Sequence, residues 1–185
     1  AQIKGNEAVL IAGCGTVGLM ILLGLKATGV KNIYMSDLLD YRRDKAMQLG
    51  ATLTWNPLEI KTSTKIKELT GGKGVDMAIE AVGIEATLKD CLSSVKFGGK
   101  VIVQGIFTER ALVHMLGFVT RETTMIGTNS INPQLALAWI ETGKIQPERV
   151  VTNIIPLEKI KEEGFEVLAG KSTKDIKILV APFGA

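Results

Sequence analysis

The sequence contains few of the residue types that build metal sites and disulfide frameworks. It has one histidine, His114, and two cysteines, Cys14 and Cys91, which are far apart along the chain. That spacing is typical neither of a disulfide framework nor of a zinc ribbon, and it favours two small reduced thiols in the core of a cytoplasmic protein. Because His114 lies within the apolar stretch 111–119, we expect it to be a packed or interface residue and not a metal ligand.

Aromatic residues and net charge are also scarce. Aromatic side chains make up 5% of the residues, and the formal net charge is only +3. The lysines are scattered and no aromatic residues lie between them, so the sequence does not indicate a nucleic-acid-binding surface. The longest apolar stretch, residues 9–25, is interrupted by glycines at positions typical of turns and close helix packing. It therefore predicts a strand followed by a buried helix, and not a signal peptide or a membrane span.

What is present is an ordinary globular composition, with 46% hydrophobic and 22% charged residues in a chain of 185. This length suits one domain of about 150 residues and a remainder. The chain begins with Ala1 and not with methionine, shortly before an apolar run. We therefore expect an excised piece of a longer protein.

The most informative motif is a glycine triplet near the start of the chain. Gly13-Cys14-Gly15-Thr16-Val17-Gly18 follows the apolar run 8–12, and Asp37 ends a second such run, 32–36. A strand, a glycine turn, a helix, a second strand and an acid about 20 residues further on are how proteins bind a dinucleotide. The first glycine permits the tight turn, the second lets the backbone approach the pyrophosphate, and the third lets the helix pack closely on the strand. The helix N-terminus then faces the negative charge of the phosphates.

Strand-like and helix-like segments alternate from residue 8 to about residue 143. Their apolar periods and the glycine turns between them predict an α/β domain with a doubly wound parallel sheet. The predicted strands are 8–12, 32–36, 51–55, 75–82, 100–104 and 123–128. The predicted helices are the segment that follows Gly15, then 41–49, 58–69, 85–96 and 133–142.

Beyond Gly143 the pattern changes. Segments 150–155 and 177–180 are typical of strands, and they flank one amphipathic helix, 157–168. Because this β-α-β tail does not extend the earlier alternation cleanly, we divide the chain into a nucleotide-binding domain, 1–146, and a separate structural unit, 147–185.

These motifs resemble the coenzyme (Rossmann) domain of the zinc-dependent medium-chain alcohol, polyol and threonine dehydrogenases. The resemblance runs over nearly the whole chain, and its most specific parts are the glycine triplet and the stretch Glu80-Ala81-Val82-Gly83. It is also carried by Asp37 with Arg42, by 45–51, 69–76, Gly98-Gly99 and Gly105, and in the tail by 155–160, Phe165 and Gly170-Lys171.

The resemblance implies a six-stranded sheet in the order 3-2-1-4-5-6, with NAD lying across the carboxyl ends of the strands. The implied cofactor-binding residues divide along the dinucleotide. Gly13, Gly15, Thr16, Val17 and Gly18 hold the pyrophosphate, Asp37 holds the adenosine ribose, and Arg42 lies beside the adenine and ribose. Val82 and Gly83 line the adenine and the middle of the cleft, while Gln104, Gly105, Ile106 and Thr128 lie by the nicotinamide. Asp37 favours NAD over NADP because its charge repels a 2′-phosphate, although Arg42 could reach such a phosphate.

The resemblance also implies what this chain does not contain. In the family an N-terminal domain supplies a cysteine, a histidine and an acid to the catalytic zinc, and the tail returns to complete that GroES-like catalytic domain. Since an open zinc site needs about three protein ligands, one histidine and two distant cysteines cannot build one. We therefore expect no catalytic and no metal residues in this chain, which alone would be inactive. Glu80 and Asp76 lie on one predicted buried strand, and we interpret them as structural and not as a catalytic pair.

The implied full-length protein oxidises a secondary alcohol, a polyol or threonine by hydride transfer to NAD. In the family, two coenzyme domains join about a twofold axis, which implies a homodimer or homotetramer through the apolar region 111–128. Two alternatives stay open at this point. One is an S-adenosylmethionine-dependent methyltransferase, whose glycine loop and acid look alike, and the other is a non-catalytic nucleotide-sensing module. The third glycine, Gly18, and the match through Gly83 and Gly105 speak against the methyltransferase.

Overall fold

The computed structural model describes residues 3, 5–129, 132–170 and 174–182. Its larger part is a six-stranded sheet in the order β3-β2-β1-β4-β5-β6, and each pair of neighbouring strands is parallel. The strands are β1 (Ala8–Ala12), β2 (Asn32–Ser36), β3 (Leu53–Trp55), β4 (Val75–Glu80), β5 (Val95–Val103) and β6 (Thr124–Gly127). The sheet order expected from the sequence is confirmed.

Helices cover both faces of this sheet. They are α1 (Thr16–Ala27), α2 (Asp40–Gln48), α3 (Thr62–Leu69), α4 (Glu85–Ser94), α5 (Met115–Thr120) and α6 (Pro133–Glu141). Alternate residues of β1 face opposite sides, so Val9 and Ile11 pack with α1 and α2. Leu10 and Ala12 pack with α3 and α4. Because β1 is buried on both faces, its sequence is an uninterrupted apolar run, and each fully buried Leu or Ile contributes about 1.5–3 kcal/mol.

Two helix boundaries differ from the pattern-based prediction. Helix α3 begins at Thr62 and not at residue 58, because the Asn56 side chain accepts the amide of Leu58 and forms a turn. This local hydrogen bond competes with the helix. Helix α4 ends at Ser94, and β5 starts at once with Val95. The register between β4 and β5 then shifts, which leaves residues 96–99 as a bulge.

The tail forms a second, two-stranded parallel sheet from β7 (Asn153–Pro156) and β8 (Ile178–Ala181). Between these strands lies the expected helical stretch, but its winding changes twice. It runs as a 3₁₀ turn, Leu157–Lys159, a π-helical turn, Ile160–Phe165, and a short α-helix, α7 (Glu166–Ala169). The predicted strand 150–155 starts only at Asn153, because Pro147–Val150 form a 3₁₀ turn. Lys171, which took part in the resemblance, lies outside the described residues.

Candidate dinucleotide cleft

The predicted site residues lie at one edge of the sheet. Because the strands are parallel, their carboxyl ends lie on the same side of the sheet. In such sheets a ligand binds outside these ends where the strand order reverses, which is here between β1 and β4. Gly13 follows β1, Asp37 follows β2, Val82 and Gly83 follow β4, Gln104 follows β5, and Thr128 follows β6. Hydrogen bonds join these loops, since the amide of Gly13 donates to Ser36 and the amide of Ala81 donates to Ala12.

The folded chain itself explains two of the three glycines in the triplet. Gly13 has a φ of +107°, a left-handed conformation, and a Cβ there would lie 2.7 Å from the Val82 side chain. A Cβ at Gly18 would lie 2.0 Å from the carbonyl oxygen of Gly13. Helix α1 therefore packs directly on the turn after β1, as the sequence predicted.

Gly15 is different, because neither its backbone nor its packing requires glycine. Its φ of −73° and ψ of −175° are ordinary extended values. In the described part of the chain, the one heavy atom found within 4 Å of an added Cβ is Nη1 of Arg42, at 4.0 Å. A Cβ at this position would therefore fill open space at the mouth of the cleft. That open space lies where a phosphate approaches the backbone in dinucleotide-binding loops.

Helix α1 begins at this same point and presents bare backbone amides. Gly15 is its N-cap and supplies no side-chain cap, and the first turn contains no acidic residue. The positive end of the helix macrodipole is therefore free to bind an anion at Thr16, Val17 and Gly18. The residues present fit the pyrophosphate of a dinucleotide.

Asp37 is held in a fixed orientation beside the glycine loop. Its Oδ2 accepts the amide of Cys14 at 2.8 Å, and its Oδ1 accepts the amide of Leu39 at 3.0 Å. Each carboxylate oxygen has a further acceptor site, so Asp37 can also accept hydrogen bonds from two ribose hydroxyls. The sequence predicted the acid, but not the amide of Cys14 that orients it.

Arg42 lies over the glycine loop and has no acidic partner among the described residues. Its guanidinium stacks on the ring of Tyr41, 5.8 Å from the centroid, and its Nε is buried without a hydrogen-bond partner in the described chain. The neighbouring Arg43 instead pairs with Asp40 and donates to the carbonyl oxygen of Asp37. Arg42 is thus a half-buried cation beside the glycine loop.

The other half of the cleft is built from two loops that touch each other. A Cβ at Gly83 would lie 2.2 Å from the carbonyl oxygen of Ile106, and one at Gly105 would lie 2.3 Å from the amide nitrogen of Gly83. Both glycines are therefore required by this close approach. Above the contact, the side chains of Val82 and Ile106 are 45% and 86% exposed, so apolar surface is open to a ligand.

Thr128 lies at the far end of this row. Its amide donates to the carbonyl oxygen of Val103 at 3.0 Å, which places it beside the start of the 104–106 loop. It also lines a cavity of about 350 Å³ that extends below α6. The structure thus brings Thr128 next to Gln104, as the nicotinamide assignment requires.

The tail reaches the glycine loop, which sequence reasoning did not predict. The hydroxyl of Thr16 donates to the carbonyl oxygen of Ile176 at 3.0 Å. The amide of Ile176 in turn donates to the hydroxyl of Thr152. The Thr16 side chain is therefore engaged by the tail, while its backbone position leaves its amide at the start of α1.

The cysteines are buried on opposite faces of the sheet. Cys14 packs with α1 and α2, and Cys91 packs with α3 and α4. Burial, and then the nearby Asp37 carboxylate, raise the pKa of the Cys14 thiol far above its ordinary value.

Residues 3, 5–129, 132–170 and 174–182 contain no group of three His, Cys, Asp or Glu side chains that could hold a metal ion. The residues present therefore do not fit a catalytic zinc. Within the same residues, no helix has the length and apolar character needed to cross a membrane.

Comparisons with known proteins agree with this fold. A family model described as zinc-binding dehydrogenase matches residues 16–142. The chain is 32% identical to the (R,R)-butanediol dehydrogenase of Bacillus subtilis (strain 168), and the match covers 98% of this chain and 53% of that protein.

Solved structures give the same result. The 2R,3R-butanediol dehydrogenase from Bacillus subtilis matches with a TM-score of 0.89 at 31% identity, over 98% of this chain and 52% of that one. A zinc-binding dehydrogenase from Sinorhizobium meliloti 1021, bound to NADP, matches with a TM-score of 0.85 at 25% identity, over 98% and 54% of the two chains. The chain thus spans about half the length of these relatives.

Proposed function

The chain belongs to the zinc-binding dehydrogenase family, and we propose that it is the coenzyme-binding part of an NAD-dependent alcohol dehydrogenase. The observation that carries this proposal is Gly15, where glycine is required by neither φ nor packing but leaves room at the N-terminus of α1. The family match favours the dehydrogenase over the methyltransferase that the glycine loop alone left open.

The residues of this chain bind and orient the cofactor. The amides of Thr16, Val17 and Gly18 face the pyrophosphate, and Arg42 lies beside the adenine and ribose. Asp37 accepts the adenosine ribose hydroxyls, and the loops at Val82–Gly83 and Gln104–Ile106 hold the rest of the dinucleotide against the sheet. NAD, when bound, accepts a hydride from the alcohol carbon. What the protein supplies here is orientation of that cofactor.

The relatives support the activity proposed for the whole protein. We expect a secondary alcohol or polyol such as a butanediol as substrate, since (R,R)-butanediol dehydrogenase is 32% identical to this chain. Threonine stays a further expected substrate class.

We assign the zinc ligands to residues outside this chain, so this chain alone should show neither alcohol oxidation nor stoichiometric zinc. Its two free, buried cysteines are consistent with a cytoplasmic location.

NAD should bind more tightly than NADP. A 2′-phosphate on the adenosine ribose would lie about 4 Å from Asp37, where like charges repel by about 1 kcal/mol in water and about 4 kcal/mol at an effective dielectric constant of 20. Arg42, whose guanidinium has no acid partner among the described residues, offsets part of this repulsion.

Calorimetric titration of the chain with NAD, NADP and S-adenosylmethionine tests the proposal. We expect binding of NAD, weaker binding of NADP and none of S-adenosylmethionine. Binding of S-adenosylmethionine without NAD would contradict the dehydrogenase assignment, and equal binding of NADP and NAD would contradict the role given to Asp37.

Asp37→Ala should weaken NAD binding by about tenfold, as the loss of one charge-assisted contact implies. Asp37→Asn removes the charge and keeps one acceptor oxygen, which can serve the amide of Cys14 or that of Leu39 but not both. It should therefore also narrow the preference for NAD over NADP. Asp44→Ala is the matched control, because Asp44 is an exposed acid on the neighbouring helix α2. If the Asp44 variant lost as much affinity as the Asp37 variant, a general charge effect would replace the specific contact.

A further inference from the structure

Glu80 is a carboxylate that is completely buried at the carboxyl end of the central strand β4. Its side chain is 0% exposed, and it pairs in register with Ala12 of β1 and Val103 of β5. Glutamate is almost never fully buried without partners. No ion pair to Glu80 occurs among the described residues, so its partners are neutral hydrogen-bond donors.

The donors to the carboxylate come from the loop after β4 and from α4. Oε1 accepts the amides of Val82 and Gly83, each at 2.9 Å, and the hydroxyl of Thr87 at 2.6 Å. The backbone carbonyl of the same residue accepts the amides of Gln104 and Gly105, at 2.9 and 3.0 Å. The Glu80 side chain therefore fixes the loop after β4 and the first turn of α4, while its backbone carbonyl holds the start of the loop after β5.

The second carboxylate oxygen explains Gly105. Oε2 has no hydrogen-bond partner in the described chain, and a Cβ at Gly105 would lie 2.3 Å from it. The loop can thus close over Glu80 only because residue 105 has no side chain. Since Glu80 is 0% exposed, it does not touch a ligand and acts through the loops that do.

We propose that Glu80 is a positioning residue that sets the Val82–Gly83 loop, which lines the adenine and the middle of the cleft, against the Gln104–Ile106 loop, which lines the nicotinamide, at the separation that a whole dinucleotide requires. This rests on the proposed function of the cleft. AMP meets the glycine loop and Asp37, whose hydrogen bonds to Cys14 and Leu39 do not involve Glu80, and it reaches only the first of these two loops, whereas NAD spans both. Loss of Glu80 should therefore reduce the affinity for NAD more than the affinity for AMP.

The test compares Glu80→Gln and Glu80→Ala with Asp76→Asn in the 185-residue chain. Asp76 is on the same strand, and its carboxylate also accepts a backbone amide, that of Ala8, but at the opposite end of the sheet. Hydrogen exchange reports on the amides of residues 82, 83, 104 and 105, and calorimetry gives the affinities for NAD and AMP.

In Glu80→Gln, a neutral amide replaces the charged acceptor, so exchange at residues 82 and 83 should become about tenfold faster and NAD binding about tenfold weaker, with AMP changed by less than about threefold. Glu80→Ala should increase the exchange rates and reduce NAD binding by more than Glu80→Gln does, again with a smaller effect on AMP. Asp76→Asn should leave the exchange rates of these amides and the ratio of NAD to AMP affinity unchanged. If Glu80→Ala does not fold, Glu80→Gln decides alone.

Unchanged exchange in Glu80→Gln, or an equal loss of NAD and AMP affinity, would overturn the positioning role. Failure of the wild-type chain to bind NAD would instead contradict the proposed function. In that case the exchange rates at residues 82 and 83 in Glu80→Gln still decide whether the Glu80 side chain holds the Val82–Gly83 loop.

Discussion

Two glycines of the same triplet should respond to the same substitution in opposite ways. Gly15→Ala places a methyl group in open space at ordinary φ and ψ, so the free energy of unfolding should change by less than about 0.5 kcal/mol. The same methyl group obstructs the approach of the pyrophosphate, and NAD binding should weaken at least about tenfold. Urea unfolding and calorimetric titration measure the two effects.

Gly18→Ala is the matched control for that prediction. Its Cβ would lie 2.0 Å from the Gly13 carbonyl oxygen, which is backbone and cannot rotate away. The free energy of unfolding should fall by about 1–3 kcal/mol or more, as overpacking generally costs. A Gly15→Ala chain that is as unstable as Gly18→Ala, or that binds NAD like the wild type, would contradict the role assigned to Gly15.

The positions of some candidate cleft residues could be predicted from the sequence because they depend on local spacing. Gly13, Gly18 and Asp37 belong to one strand-turn-helix-strand unit, so their positions follow from a short stretch of sequence. The contacts of Glu80 and of Thr16 do not, because their partners at residues 104, 105 and 176 come from distant parts of the chain. The structural interpretation of Glu80 agrees with its hydrogen bonds, but its link between two loops could only be seen in the folded chain.

At the scale of the elements, Asp76 joins the starts of three strands. Its carboxylate accepts the amide of Ala8 at the start of β1 and pairs with Lys96 of β5 at 2.5 Å. Burial alone would raise the pKa of Asp76, but the hydrogen bonds from Lys96 and Ala8 outweigh it and hold the pKa below its ordinary value. A carboxyl group whose pKa is lowered on folding stabilises the native state above its unfolded pKa, and this stabilisation is lost as the pH falls.

Asp76→Asn should therefore destabilise the protein at pH 7, and the difference from the wild type should shrink as the pH falls below about 4, the ordinary pKa of aspartate. Urea unfolding of both chains at a series of pH values measures this difference. Asp44→Asn, which alters an exposed acid, should show no such trend. A difference for Asp76→Asn that stays constant down to the lowest pH would contradict the stabilising role of the ionised form.

Elements with a strong apolar period were predicted, and those that depend on competing local contacts were misplaced. The strands β1, β2 and β4 fall within two residues of their predicted bounds because each pairs with a neighbour on both sides. The edge strand β6 also does, although only β5 pairs with it. Helix α5 was not predicted, since its apolar residues are irregularly spaced and none is buried. The changes of winding between Leu157 and Ala169 likewise leave no mark on the amphipathic pattern.

At the scale of the molecule, the core runs across the boundary that we placed between residues 146 and 147. Ile145, Val150 and Ile176 are buried in the same cluster as α1, and Arg149 donates to the carbonyl oxygen of Gln48. The family model, by contrast, ends at residue 142. The division at residue 146 stays a prediction. It rests on where the alternation of strand-like and helix-like segments changes, and that alternation does not show how the elements pack against one another.

The surface that runs from Leu112 to Ile126 predicts a homodimer in solution. Strand β6 is an edge of the sheet, and an uncovered edge offers unpaired amides and carbonyls to another chain. Three apolar residues beside it are largely exposed: Leu112 (74%), Leu116 (66%) and Val119 (64%). Monomeric proteins rarely expose this much apolar surface in one patch. These residues therefore fit a second copy of this chain placed about a twofold axis, so that one patch meets itself.

Light scattering should give about twice the chain mass of 19.9 kDa. Leu116→Arg places a charge in the interface and should shift the equilibrium toward the monomer by about tenfold or more, since a buried unpaired charge is costly. Leu58→Arg is the control, because Leu58 is also highly exposed, at 81%, but follows β3 at the opposite edge of the sheet; it should leave the dimer intact. A wild-type chain that is monomeric at tens of micromolar would contradict this interface, because the edge of β6 and the apolar residues beside it are all contained in this chain. Equal dissociation of the dimer in the Leu116→Arg and Leu58→Arg variants would also contradict it.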